Sequence, residues 1–242
     1  MSRPKLLDVF SGSGGAAMGY FRAGFDPYGI DNDQKPLKHY PFPYLCMDAL
    51  EAMDRLLRGE GLTFSNGETL YLGDFAAFHA SPPCQFGSIA TPKERKHLHP
   101  NLIPQTRQLL VATGKPYVIE NVRGTRMWLV NPSMLCGTMF GLPLWRHRYF
   151  ETSFNHFELM PTCNHKRGYL EIEIGKIQIP VLCTGGGDSK RSNRKTWRPN
   201  QPAKERRYAM QIDWMTKEEL TQAIPPAYTE YIGKRLIKEV LE

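Results

Sequence analysis

Short apolar segments alternate with helix-like segments over the first half of the chain. Residues 6–10, 27–31, 45–47, 75–80 and 116–119 are mainly apolar and are followed by small or polar residues, which is typical of buried parallel strands. Residues 14–23, 49–58 and 102–113 have the spacing of helices. This alternation predicts an α/β fold with a doubly wound, mostly parallel sheet.

The alternation is lost between residues 151 and 204. There, residues 170–174 and 177–181 alternate apolar and polar positions on either side of Gly175-Lys176, which predicts a hairpin. Helical spacing returns from residue 205, where Thr216 and Glu219 form a predicted capping box. We therefore expect one domain made of residues 1–150 and 205–242, and a small, mainly β and loop insertion over 151–204.

Several chemically distinctive residues follow the predicted strands. Because ligands of such sheets bind at the carboxyl ends of the strands, we expect one edge of the sheet to carry Phe10, Ser11, Asp31, Asp48, Cys84 and Glu120. A thiolate is a strong nucleophile, and a neighbouring carboxylic acid can protonate or hydrogen-bond the group that the thiolate attacks. These residue types together indicate an enzyme that attacks an electrophilic ring carbon.

Five short motifs resemble those of the cytosine-C5 DNA methyltransferase family, in the family's order. They are Asp8-Val9-Phe10-Ser11-Gly12-Ser13-Gly14-Gly15, Pro83-Cys84-Gln85, Glu120-Asn121-Val122, Arg146-His147-Arg148 and Ala223-Ile224-Pro225-Pro226. The resemblance covers most of the chain and implies the Rossmann-like fold of S-adenosylmethionine-dependent methyltransferases, with a target-recognition region at 151–204.

The resemblance also implies the catalytic roles. Cys84 would add to C6 of a cytosine flipped out of the duplex, and Glu120 would hold the ring N3 and the exocyclic amine. Asn121 would orient the nucleophile loop, while Arg146 and Arg148 would lie on one side of a strand and contact the base O2 or fix Glu120. Residues 86–100 resemble the family's mobile loop, whose closure would exclude water.

The resemblance implies S-adenosylmethionine as the cofactor. Residues 12–15 lack the full G-x-G-x-x-G fingerprint of dinucleotide sites, which disfavours NAD. The resemblance implies that Phe10 packs on the adenine, Asp31 binds the ribose and Asp48 binds the adenine amino group. A helix N-cap is the alternative role for each acid. For Asp31, the neighbouring Asp33 is the better cap candidate, whereas Asp48 directly precedes a predicted helix. The full predicted set is Phe10, Ser11, Gly12, Gly14, Gly15, Asp31, Asn32, Asp48, Pro83 and Gln222.

Charge favours a polyanionic partner. The chain has a net charge of +7 and a pI of about 9.1, and basic residues concentrate between 186 and 207, where a solvated loop is the alternative. We expect a monomer bound to double-stranded DNA, with no membrane association, in the cytoplasm of a bacterial or phage-infected cell. The predicted DNA contacts are Gln85, Ser88, Lys190, Arg191, Arg194 and Lys195.

Departures from the family pattern keep other functions open. Gln222 stands where the family has Asn, and the region 151–204 is short, as in a compact phage or prophage enzyme. RNA as substrate, or transfer of another group from a modified sulfonium donor, is one alternative. A catalytically silent DNA-binding relative is the other, although it would not need Cys84, Glu120 and Arg148.

The cysteines indicate neither a disulfide framework nor a metal. Five cysteines at irregular spacing fit a reducing compartment, where buried thiols act as small hydrophobic groups. Cys163 and Cys183, with His165, offer part of a metal site, but the chain has no C-x-x-C pair. We therefore predict no metal.

Overall fold

The computed structural model describes residues 2–88, 91–154, 162–165, 173–174, 177–178 and 202–242. The strands in these ranges are β1 (Lys5–Val9), β2 (Asp26–Asp31), β3 (Tyr44–Cys46), β4 (Leu62–Thr63), β5 (Thr69–Leu70), β6 (Phe75–Ala80), β7 (Tyr117–Asn121), β8 (Ser133–Leu135), β9 (Arg148–Thr152), β10 (Glu173–Ile174) and β11 (Ile177–Gln178). The α-helices are α1 (Gly15–Ala23), α2 (Gln34–Leu37), α3 (Ala49–Leu57), α4 (Ile103–Ala112), α5 (Ala203–Met210), α6 (Lys217–Gln222) and α7 (Pro226–Leu241).

Seven strands form the main sheet, in the order β3-β2-β1-β6-β7-β9-β8. The first five of these are parallel to one another, whereas β9 runs antiparallel to both β7 and β8. The predicted α/β fold with a mostly parallel sheet is therefore confirmed.

Each face of the sheet has its own apolar core. Because side chains alternate along a strand, Leu7 of β1 packs with α3 and α4 on one face, while Leu6 packs with α1 and α7 on the other. Both leucines are fully buried. A sheet that is covered on both faces requires strands that are apolar at successive positions, as these are.

Some local details differ from the sequence predictions. Strand β7 continues through Asn121, so Glu120 lies within the strand and not beyond its end. Arg146 precedes β9, so the prediction that both arginines of the R-x-R motif lie on a strand is wrong for Arg146. In the predicted hairpin, Glu173 pairs with Gln178 and Ile174 pairs with Ile177, while residues 170–172 and 179–181 lie outside the described ranges.

The capping box of α6 is confirmed: Thr216 Oγ1 accepts from the Glu219 N–H, and Glu219 Oε2 accepts from the Thr216 N–H. The proposed boundary at residue 150 falls inside β9, and the division into two domains stays a prediction. None of the described helices is both long enough and apolar enough to span a membrane.

Helices α1 and α7 pack closely through Gly19. A Cβ at this position would lie 2.0 Å from Thr229 Oγ1 and 2.2 Å from the Pro226 carbonyl oxygen. Thr229 Oγ1 in turn donates to the Ala16 carbonyl at 2.8 Å. This contact fixes the helix that follows the Gly-rich turn against the C-terminal helix.

We expect Gly19→Ala to destabilise the protein. Alanine favours a helix over glycine by about 1 kcal/mol, but overpacking a close contact costs about 1–3 kcal/mol, and here one neighbour is backbone that cannot rotate away. Gly73→Ala is the matched control, because a Cβ at Gly73 would meet nothing within 4 Å. Urea unfolding of both variants measures the difference, and an unchanged midpoint for Gly19→Ala would contradict the packing argument.

Candidate active site

The shape of the Gly-rich turn between β1 and α1 is set by its backbone conformation and by one carboxylate. Phe10, Gly12 and Gly14 have φ values of 59°, 53° and 81°, which only glycine adopts without strain. The Gly12 N–H donates to Asp31 Oδ2 at 2.9 Å, and the Asp33 N–H donates to Asp31 Oδ1 at 2.9 Å. Asp31 therefore orders the turn from the end of β2 and keeps further lone pairs for a ligand.

Asp48 caps α3. Its Oδ1 accepts from the N–H groups of Leu50 and Glu51, both at 3.0 Å. The structure therefore shows Asp48 as a helix N-cap, which was the alternative to adenine binding. Neither of the two hydrogen bonds involves Oδ2. Asp33 caps α2 by accepting from the Lys35 N–H at 2.9 Å, so Asp31 is not the cap.

The C-terminal motif lies against the Gly-rich turn. A Cβ at Gly15 would lie 2.5 Å from the Ile224 carbonyl oxygen, and Trp214 Nε1 donates to the Ser13 carbonyl at 2.8 Å. Gln222 ends α6 two residues before Ile224. The fold therefore brings the Gln222 segment to the predicted cofactor turn, which the sequence separation of about 200 residues does not show.

The nucleophile loop leaves β6 and rests on the segment that follows β7. Asn121 Nδ2 donates to the Pro82 carbonyl at 2.8 Å, and its Oδ1 accepts from Thr125 Oγ1 at 2.9 Å. The backbones of Gly87 and Gly124 touch so closely that a Cβ at Gly124 would lie 1.8 Å from the Gly87 oxygen. This contact explains the Phe86-Gly87-Ser88 sequence, because no larger residue fits at position 87.

Cys84 and Glu120 lie at the same edge of the sheet as the Gly-rich turn. Glu120 is 6% exposed, and its Oε1 forms an ion pair with Arg148 Nε at 2.9 Å. Arg146 is equally buried and donates to the Thr221 carbonyl at 2.8 Å. The two roles predicted for the arginines were contact with the base O2 and fixing of Glu120. The ion pair of Arg148 with Glu120 fits the second role.

The thiol and the carboxyl group influence each other electrostatically. Burial raises the pKa of the Cys84 thiol, the charge of Glu120 raises it further, and Arg148 and Arg146 oppose both effects. Burial also raises the pKa of Glu120, against the two arginines and a hydrogen bond from Ser81. Both shifts favour the protonated forms in the absence of a ligand.

A buried chain of hydrogen-bonded side chains leads to Glu120 through Ser81. Tyr20 Oη lies 2.9 Å from His79 Nδ1, and His79 Nε2 lies 2.9 Å from Ser81 Oγ. His79 is fully buried, and burial lowers the pKa of its imidazole to about 3. The neutral imidazole can accept a hydrogen bond from Tyr20 at Nδ1 and donate one to Ser81 Oγ from Nε2. The Ser81 hydroxyl can then donate its own proton to Glu120.

Sequence reasoning did not identify Tyr20, His79 or Ser81 as site residues. The only signal was position, since His79 and Ser81 directly precede the Pro-Pro-Cys motif. Phe10 packs against the core beside this edge. Gln85 and Ser88 lie in the nucleophile loop, where the Ser88 N–H donates to the Cys84 carbonyl at 2.9 Å. Lys190, Arg191, Arg194 and Lys195 lie outside the described residues.

No protein-family model and no curated protein matches this sequence. Among solved structures, the chain is similar to the Entamoeba histolytica methyltransferase EhMeth, with 16% identity, a TM-score of 0.56 and full coverage of both chains. It is also similar to S. pombe Dnmt2 methyltransferase, with 16% identity, a TM-score of 0.54 and coverage of 98% of this chain and 99% of the other.

A mutant of Spodoptera frugiperda DNMT2 is similar over 99% of this chain and 100% of the other, with 14% identity and a TM-score of 0.52. This chain has the fold of S-adenosylmethionine-dependent methyltransferases. The methyltransferase fold predicted from the motifs is thereby confirmed, and it places the Gly-rich turn and the Cys84–Glu120 pair at the edge where such folds bind ligands.

We expect Glu120→Gln to lower the pKa of Cys84. The substitution removes the negative charge that raises this pKa, while the opposing arginines remain. The thiolate then forms at lower pH, so the pH at which Cys84 alkylation reaches half its maximal rate should fall. Mass spectrometry of the peptide that contains Cys84 measures this rate without interference from other thiols.

Glu60→Gln is the matched control, because Glu60 is half exposed and pairs with Arg58 at 2.8 Å. It should leave the Cys84 profile unchanged. A Glu120→Gln profile that stays in place or moves to higher pH would show that the two groups are not coupled as described.

Proposed function

We propose that this protein transfers a methyl group from S-adenosylmethionine to C5 of cytosine in double-stranded DNA, through a covalent bond between Cys84 and C6. One observation carries the proposal: a methyltransferase fold places a thiol beside a buried, arginine-paired carboxyl group. A methyltransferase that acts on an already nucleophilic atom has no need of this thiol.

The site's own residues account for the covalent steps. The Cys84 thiolate adds to C6, and Glu120 in its acid form donates its proton to N3, so the ring gains electron density at C5 without building up charge. After methyl transfer, solvent takes the C5 proton, and the electron pair of the C5–H bond forms the C5–C6 double bond as the Cys84–C6 bond breaks and the thiolate leaves. N3 returns its proton to Glu120, which restores both side chains.

The predicted cofactor residues fit S-adenosylmethionine. In the turn from Ser11 to Gly15, Gly12 is partly accessible and has open space where a Cβ would lie. Ser11 Oγ is buried and has no hydrogen-bond partner among the described residues, and the Asp31 carboxylate adjoins the turn. When bound there, S-adenosylmethionine supplies the electrophilic methyl group that C5 takes. Asp31 would bind the ribose hydroxyls, and Oδ2 of Asp48 would accept from the adenine amine.

DNA is the substrate that we propose, supported by the net charge of +7 and the family resemblance of the motifs. Flipping a cytosine out of a duplex costs a few kcal/mol, which phosphate contacts by the basic residues of 186–207 would offset. The same chemistry on RNA is the alternative that the experiment must separate.

We expect cells that express the protein to carry conversion-resistant cytosines in DNA, and cells that express Cys84→Ala to carry none, because the covalent adduct cannot form. Base-resolution sequencing of DNA and RNA from the same cells measures this and also identifies the target sequence. Cys84→Ala should still bind S-adenosylmethionine, which shows that the variant is folded.

The other outcomes have definite meanings. Modified cytosine only in RNA would replace DNA as the substrate. Modification that persists in Cys84→Ala would exclude the covalent mechanism, and a folded, cofactor-binding protein that modifies neither nucleic acid and forms no adduct with a 5-fluorocytosine duplex would exclude the proposed activity.

We further expect Gly124→Ala to lower kcat by about 10²-fold, because a Cβ there would displace the Gly87 backbone and with it the loop that carries Cys84. Cofactor affinity should change little, since Gly124 lies away from the Gly-rich turn in the sheet order. Single-turnover methylation assays compare Gly124→Ala with Gly73→Ala, which adds the same methyl group in open space. Equal rates for the two variants would mean that the glycine contact does not position the nucleophile.

A further inference from the structure

Four potential metal ligands converge beside the R-x-R motif. The Sγ atoms of Cys136 and Cys163 and one ring nitrogen each of His147 and His165 all lie within 4.8 Å of one another. Cys136 directly follows β8, His147 directly precedes β9, and the other two are in the described segment 162–165. The sequence prediction of no metal rested on spacing, and spacing does not reveal a site assembled from three separate segments.

The distances match a tetrahedral site. Cys136 Sγ lies 3.3 Å from His165 Nε2, and His147 Nε2 lies 3.3 Å from Cys163 Sγ. Zinc bonds of about 2.3 Å to sulfur and about 2.0–2.1 Å to nitrogen give a tetrahedron with edges of about 3.3–3.8 Å. Two of the six donor–donor distances therefore already equal a tetrahedral edge, and the other four are at most 4.8 Å.

The groups around the four ligands hold them in place. Thr138 Oγ1 lies 3.4 Å from Cys136 Sγ and 3.7 Å from Cys163 Sγ, so its single proton can be donated to either sulfur. The His165 ring stacks on Trp145 at 4.6 Å and on His147 at 4.9 Å, with interplanar angles of 8° and 10°. Supporting contacts of this kind orient the ligands of metal sites and tune their affinity.

We propose that Cys136, His147, Cys163 and His165 bind one structural Zn²⁺. Two thiolates and two imidazoles are a preferred zinc set, and four protein ligands leave no open position for catalysis. Both thiols release their protons to solvent on binding. Two independent thiol–imidazole hydrogen bonds would satisfy the same atoms in pairs, but would not bring both sulfurs and both rings to a common centre.

The site has a definite place in the fold. His147, which lies between Arg146 and Arg148, meets Cys163 and His165 in this cluster. Cys163 and His165 belong to the region that is predicted to recognise the target. We therefore infer that the ion fixes the start of this region to the strand that carries Arg148. This inference does not depend on the proposed methyl transfer.

Metal content tests the proposal directly. We expect the full chain, purified under reducing conditions without chelator, to contain about one zinc per molecule, and Cys163→Ser and His165→Ala to lose most of it. Cys46→Ser is the matched control, because Cys46 is an exposed free thiol remote from the cluster in sequence. It should retain its zinc.

Cobalt substitution tests the proposal on the wild-type chain and therefore does not depend on whether a variant folds. Replacement of zinc by Co²⁺ in the wild-type chain should give the intense visible bands of tetrahedral cobalt and a near-ultraviolet sulfur-to-cobalt charge-transfer band. A folded wild-type chain that takes up neither Zn²⁺ nor Co²⁺, or a Cys136–Cys163 disulfide recovered from the reduced preparation, would overturn the proposal. Retention of zinc in folded Cys163→Ser and His165→Ala would do so as well.

Discussion

The burial of Glu120 is the constraint on which the rest of the site depends. A carboxylate removed from water is costly unless it is paired or protonated, and here Arg148 Nε lies 2.9 Å away. Arg148 begins β9, where it pairs with Leu135 of β8, and two residues further on Phe150 of β9 pairs with Glu120 of β7. The sheet therefore holds the backbones of both partners in place.

The same burial gives the site two protonation states with different chemistry. While Glu120 is charged, its field raises the pKa of Cys84 and holds the thiol in its protonated form. Protonation of Glu120 removes that field, so the thiolate becomes easier to form. Burial favours the proton on Glu120, whereas Arg148, Arg146 and the hydrogen bond from Ser81 oppose it. In the proposed mechanism, one proton on Glu120 would thus serve both the nucleophile and the acid.

The sequence predicted the parts of this arrangement that follow from strand ends. Residues after β1, β2, β3 and β6 meet at one edge because parallel strands leave no other possibility. It misplaced Arg146 and Glu120 because strand boundaries depend on pairing partners such as β9, which are distant in sequence. It missed His79 because an imidazole inside an apolar run gives no sign of its hydrogen bonds, and it missed the Cys136 cluster because three segments separated by loops assemble it.

The R-x-R motif shows why the metal cluster and the catalytic edge can share one short segment. Side chains of an extended chain alternate in direction, so neighbours of Arg148 in sequence need not be its neighbours in space. Arg148 reaches Glu120 and Arg146 reaches the Thr221 carbonyl, while His147 lies 3.3 Å from Cys163 Sγ. His147 thus contacts the cysteine cluster, whereas the arginines on either side of it contact Glu120 and the Thr221 carbonyl. The proposed ion would therefore stiffen the segment that carries Arg148 without contacting Glu120.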